Sequence, residues 1–109
     1  MATKVFISQP MRGKTKAEID EVKRDAINLV SNIIRGPVEF FDNYFKLGYG
    51  ISGMEDYMDN RLAIMLLAKS IDLMKDANIV FFCKGWKEAR GCVIEHEVAE
   101  RYGITIIEE

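Results

Sequence analysis

The run Ile79-Val80-Phe81-Phe82-Cys83 constrains this chain more than any other segment. Consecutive apolar residues with no polar alternate leave no face for water, so the run reads as a central parallel strand covered on both sides. A parallel neighbour requires a crossover, most often a helix, and the flanking sequence supplies helices at the right places. Residues 3–7 read as a first strand. Thr15 is a good N-cap, and Glu18 three residues later completes a capping-box pattern. Ile19, Val22, Ala26, Leu29, Val30, Ile33 and Ile34 then recur at three- and four-residue spacing, the apolar face of one helix. Arg35-Gly36-Pro37 ends it. Residues 38–41 read as a second strand, 61–75 as a helix, 78–83 as the third strand, 88–102 as a helix closed by Gly103, and 104–107 as the last strand. This order predicts an α/β fold with a mainly parallel four-stranded sheet and right-handed crossovers.

With 109 residues the chain is long enough for a single domain, 1–109, with one core. Net charge is −2, so a broad phosphate-tracking surface for a nucleic-acid polymer is not expected. No apolar run reaches the roughly 18–20 residues that span a bilayer. The N-terminus enters a strand without a signal-peptide pattern. A cytoplasmic protein with no membrane partner is expected. Cys83 falls in the third strand and Cys92 at a helix start. Both read as reduced thiols, and the helix start gives Cys92 one route to a reactive thiolate. His96 is the only histidine, no Cys-x-x-Cys occurs, and the carboxylates are not clustered at ligand spacing, so neither a metal nor a cofactor is implied.

Residues 42–60 differ from the rest. They hold Tyr44, Phe45, Tyr49, Tyr57, Gly48, Gly50 and Gly53, and read as a long functional loop with short helical turns. The stretch 62–68 is apolar nearly all round, which implies burial on more than one side.

Two turns carry the chemistry. Ser8-Gln9-Pro10-Met11-Arg12-Gly13 links the first strand to the first helix. Gly13 permits close approach or positive φ, Arg12 can fork two donors onto a phosphate, Ser8 adds a hydroxyl, and the helix behind adds a positive dipole end. The turn lacks the Walker pattern, and by itself also fits a plain strand-to-helix turn with a surface arginine. The second turn, Gly85-Trp86 and then Ala89-Arg90-Gly91-Cys92-Val93-Ile94-Glu95, opens the last helix. Gly91, Glu95, Val98, Ala99 and Tyr102 share one face of it by helical spacing. Glu95 therefore lies with core residues near the helix start, where a glutamate is unusual unless partnered or functional. The helix N-terminus favours its ionised form. Glu95 is a carboxylate nucleophile or a dipole-stabilising residue at the core rim. Trp86 either stacks on a base or plugs the strand end. His96 points away from Glu95, toward the surface. Glu97 and Arg101 form an i,i+4 pair.

The Ser-x-x-x-Arg-Gly turn, together with Gly-x-x-x-Glu-x-x-x-Ala in the last helix, resembles the nucleoside deoxyribosyltransferase superfamily. The nearest branches are the 2′-deoxynucleoside 5′-phosphate N-hydrolases and a set of short bacterial and phage proteins with similar Ser-Gln-Pro-Met-Arg-Gly and Gly-Trp…Arg-Gly-Cys…Glu segments. The resemblance covers nearly the whole chain in element order. It implies a flavodoxin-like three-layer fold and cleavage of the N-glycosidic bond of a deoxynucleotide or nucleoside, by hydrolysis or transfer. A homodimer is implied too. Glu95 matches the nucleophile that attacks C1′. Ser8, Arg12 and Gly13 match the phosphate-binding turn of the nucleotide hydrolases, and Gly91 matches the glycine beside the sugar; Gln9 and Met11 of the same turn, with Trp86, are further candidate binding residues. The chain departs from that pattern in three ways. The assisting aspartate falls on Ser70, a phosphate-contacting serine falls on Ala89, and the chain stops at Glu109, where family enzymes continue into a segment that completes a neighbour's site. Asp56, Asp59, Tyr44 or Tyr57 of the long loop are candidates to compensate. A catalytically impaired nucleotide-binding or sensing protein of the same fold is the alternative.

Overall fold

The computed structural model describes residues 2–41 and 56–109. Four strands, β1 (Thr3–Ser8), β2 (Val38–Phe40), β3 (Ile79–Phe82) and β4 (Thr105–Glu108), form one sheet in the order β2-β1-β3-β4, and every pairing is parallel. Three α-helices connect them: α1 (Lys16–Ile33), α2 (Asp56–Met74) and α3 (Arg90–Arg101), the last preceded by a short 3-10 turn at Trp86–Glu88.

Strand alternation divides the core into two layers. Val5 and Ile7 of β1, with Phe81 and Cys83, pack against Ala26 and Val30 of α1. Phe6 of β1, with Val80 and Phe82 of β3, packs against Met74 of α2 and Ala99 of α3. Helices thus cover both faces of the sheet, the flavodoxin-like three-layer arrangement. All of these core residues are at most 4% exposed, which is why β3 has to be apolar at every position.

The elements form where local chemistry favours them. Thr15 Oγ1 accepts from the Glu18 backbone N–H at 3.1 Å while Glu18 Oε1 accepts from the Thr15 N–H at 2.9 Å, a complete capping box. Gly36, at φ 91, takes the left-handed conformation that turns the chain from α1 toward β2. Residues 88–102, expected as one helix, begin instead as the 3-10 turn, because Gly85 at φ 89 and extended Ala89 break the path before α3 starts. Helix α2 begins earlier than expected and takes in the backbone of residues 56–60.

Two expectations about helix faces are corrected. Tyr102 does not share the buried face of α3: it is 81% exposed, because α3 has already ended at Arg101. Burial of the 62–68 stretch is one-sided within this chain. Leu66 is buried, whereas Ile64 is 69% exposed and Met65 is also exposed, since the sheet can cover only one stripe of a helix.

Candidate active site

The connections from β1 and β3 leave in opposite directions: α1 leads from β1 to β2 on one face of the sheet, and α3 leads from β3 to β4 on the other. The crevice at the carboxyl ends of β1 and β3 is therefore a topological switch point, the position where open α/β sheets bind ligands. Ser8 and Phe82 are register partners at that edge, and the Cys83 N–H extends the ladder by donating to the Ser8 carbonyl at 2.9 Å.

The alternation that sends Phe6 to the α2–α3 layer sends Ser8 there too. Ser8 is fully buried, and its hydroxyl donates to Glu95 Oε1 at 2.6 Å, across 87 positions of sequence. Glu95 lies in the second turn of α3 and is 7% exposed. Ser70, on the buried face of α2, is 8% exposed and supplies a second hydroxyl to the same carboxylate. The three residues thus come from β1, α2 and α3 and meet in the layer those elements share.

Glu95 is not held in the ionised form by the helix N-terminus, as its place near the start of α3 suggested. Burial dominates and pushes its carboxyl up to about 7, against the opposite pull of the Ser8 and Ser70 hydroxyls. The helix dipole fades beyond the first turn, and Glu95 is already past it. Cys92 is no reactive thiolate. It is 3% exposed, and burial first, then the charge of Glu95, pushes its thiol up to about 11. Cys83 is pushed up to about 12, again chiefly by burial.

The two motif turns converge. A Cβ added to Gly85 would lie 3.7 Å from Cγ of Pro10, so the loop after β1 and the loop after β3 are neighbours. In the first loop the Lys14 N–H donates to the Met11 carbonyl at 3.1 Å, which closes a turn with Gly13 at its third position. Gly13 has φ 77, the conformation that position favours in a type II turn. Arg12, at the second position, is exposed. Ala89, at the N-cap of α3, makes no side-chain cap bond to the helix. Gly91 faces α2: a Cβ there would come 3.9 Å from Leu67 Cδ1.

Gln9, Trp86 and His96 are placed differently from the others. Gln9 follows Ser8 and turns to the opposite face, where its Nε2 donates to the Ile19 carbonyl of α1 at 3.2 Å. Its Oε1 is buried and has no hydrogen-bond partner among the described residues. Trp86 packs on Phe82 with ring centroids 5.4 Å apart and stacks on His96 at 4.2 Å, with an interplanar angle of 6°. His96 is therefore not the surface histidine the sequence suggested. Its side chain is 16% exposed, lies between the Phe82 and Trp86 rings and Glu108, and meets Glu108 Oε2 at 2.7 Å. Neither its spacing nor its polarity announced that role, because the partner lies on β4. Glu97 and Arg101 do pair. Tyr44 lies outside the described residues, as do the side chains of Asp56, Tyr57 and Asp59.

Comparisons with protein-family models, with curated proteins and with solved structures return no match for this chain. Among the described residues no helix is long and apolar enough to cross a membrane.

Proposed function

We propose that this protein cleaves the N-glycosidic bond of a deoxynucleotide or nucleoside, by hydrolysis or by transfer, with Glu95 as the nucleophile. The observation that carries this is the Ser8–Glu95 contact of 2.6 Å, which fixes a buried carboxylate at the β1–β3 switch point. In the ionised form a Glu95 oxygen attacks C1′. The bond to the base breaks, and the base leaves with its electron pair and takes up a proton. The resulting glycosyl ester is resolved by water or by a second base. The uncapped start of α3 and the Arg12–Gly13 turn offer backbone donors and a guanidinium to a 5′-phosphate. The resemblance places Gly91, one turn before Glu95, beside the sugar. The resemblance of both motif turns to the nucleoside deoxyribosyltransferase superfamily supports the same assignment. The protein acts in the cytoplasm as a homodimer, without metal or cofactor.

A second reading, a nucleotide-binding protein that does not turn over, is favoured by one observation. The residue beside Glu95 on α2 is Ser70, a hydroxyl where the resemblance implies an assisting aspartate. General acid–base assistance is worth roughly 10²–10⁴-fold, so its loss slows or silences the reaction.

Incubation with each deoxynucleoside monophosphate, followed by chromatography for free base, tests the enzyme. Base release that disappears in Glu95→Ala supports it. No release from any substrate, or equal release by Glu95→Ala, overturns it. Where no base is released, calorimetry addresses binding: mononucleotide affinity that survives Glu95→Gln and is lost in Arg12→Ala supports the second reading, and no affinity for any nucleotide removes both.

A further inference from the structure

His96 of α3 and Trp86 of the 3-10 turn are the only histidine and the only tryptophan of the chain. Their rings stack with centroids 4.2 Å apart and planes 6° from parallel. At the imidazole edge, Nε2 meets Glu108 Oε2 of β4 at 2.7 Å. Phe82 of β3, the register partner of Glu108, packs on both rings, 4.8 Å from His96 and 5.4 Å from Trp86. The His96 side chain is 16% exposed, so water screens these contacts weakly. Of the charged groups around the stack, Lys87 Nζ stands 5.7 Å from the Trp86 ring centre, Glu97 is tied to Arg101, and Glu100, one turn further along α3, is exposed.

Histidine is the side chain that changes charge between about pH 5 and 8. As an imidazolium, His96 gains a cation–π attraction to the indole face and an ion pair with Glu108. As a neutral imidazole it keeps one N–H for Glu108 and an uncharged ring contact. We infer that His96 is a pH-sensitive clamp on one wall of the crevice: charged, it ties Trp86 to β4, and neutral, it lets the indole and its turn loosen. The turn borders the crevice, since Gly85 at its start neighbours Pro10 of the loop after β1. Its own bonds are few. The N–H groups of Trp86, Glu88 and Ala89 donate to the carbonyls of Cys83, Gly85 and Trp86, each at 3.1 Å, and no side chain caps it. A single 3-10 turn has poor hydrogen-bond geometry, so the anchored ring decides how firmly it is held. The clamp stands apart from what the crevice binds and can be read without substrate.

The test uses the full chain labelled with nitrogen-15. Its single indole N–H gives one signal and its single imidazole gives one titration. From pH 5 to pH 8 the indole order parameter falls from a rigid value of about 0.85 toward about 0.6, in step with the His96 titration. Protection of the Glu88 and Ala89 amides against exchange falls about three- to tenfold over the same range. His96→Phe keeps a stacked ring without charge and removes the order-parameter change. The Glu95 carboxyl also titrates in this window, but it is present in both proteins, so the clamp is the difference between them. An indole order parameter that ignores pH in wild type, or falls equally in His96→Phe, overturns the proposal. Glu108→Gln gives a measurement that does not depend on His96→Phe folding. It keeps a hydrogen-bond acceptor and removes the ion pair, so the fall is smaller, and an undiminished fall overturns the clamp. A protein that binds no nucleotide yet shows the coupled fall supports the clamp while removing the glycosidase reading.

Discussion

Glu95 is a carboxyl group whose ionisation the fold opposes. Its ordinary value is 4.5 and burial raises it to about 7. Between those values the folded chain keeps a proton that the unfolded chain has lost, so the group lowers stability as pH rises through the window. The effect is on the order of 3 kcal/mol, from about 1.4 kcal/mol per unit. Glu95→Gln removes the titration. Urea unfolding at pH 5 and pH 8 is expected to show wild type losing stability with rising pH and Glu95→Gln losing distinctly less; equal losses contradict the burial argument. The sequence could show that Glu95 shares a face with Ala99. It could not show that a hydroxyl from β1 would meet it. That depends on which strand lies beside β3, and on Ser8 being an even number of positions from Phe6.

At the scale of elements, α1 was the most legible part of the chain. Its cap, its glycine stop and most of its apolar stripe are local signals, but Leu29 and Ile33 of the expected stripe are 40% and 54% exposed, because the sheet covers a narrower band of the helix than the periodicity suggested. The Thr15–Glu18 box satisfies donors that otherwise face water. Thr15→Ala is expected to cost about 1 kcal/mol of stability, within a usual range of roughly 0.5–2, read as a lower denaturant midpoint with an unchanged slope. The start of α3 was less legible. Ala89 is a poor cap, and a helix that begins without a side-chain bond leaves no sequence signature of its first residue. The 3-10 turn before it places Trp86 against Phe82 and against His96, and His96 in turn meets Glu108 at the end of β4, so part of what fixes it comes from positions distant in sequence.

For the molecule as a whole, the sheet order and the two-faced core follow from the parallel apolar strands. Among the described residues, exposed large apolar side chains occur on α2 (Ile64, Met65) and α3 (Val93, Ile94), and also on α1 (Leu29, Ile33), each between 37% and 69% exposed. Apolar area on this scale favours association, in line with the proposed homodimer. Sedimentation equilibrium is expected to show dimers, and Ile64→Glu to shift them to monomers while leaving the far-UV dichroism unchanged. A wild type that sediments as a monomer at all concentrations rejects the pairing.

The sequence alone determined the elements and their class, because hydrophobic period, caps and glycine stops act within a few residues. It also singled out Ser8, Arg12, Gly13 and Glu95 as unusual where they stand. Only the tertiary structure decided that the hydroxyls of Ser8 and Ser70 meet the buried Glu95 carboxylate, that Gln9 turns away to α1, and that His96 packs between Phe82 and Trp86. Those outcomes depend on strand neighbours and on water exclusion, and both exist only once β1 lies between β2 and β3 with helices closing each face.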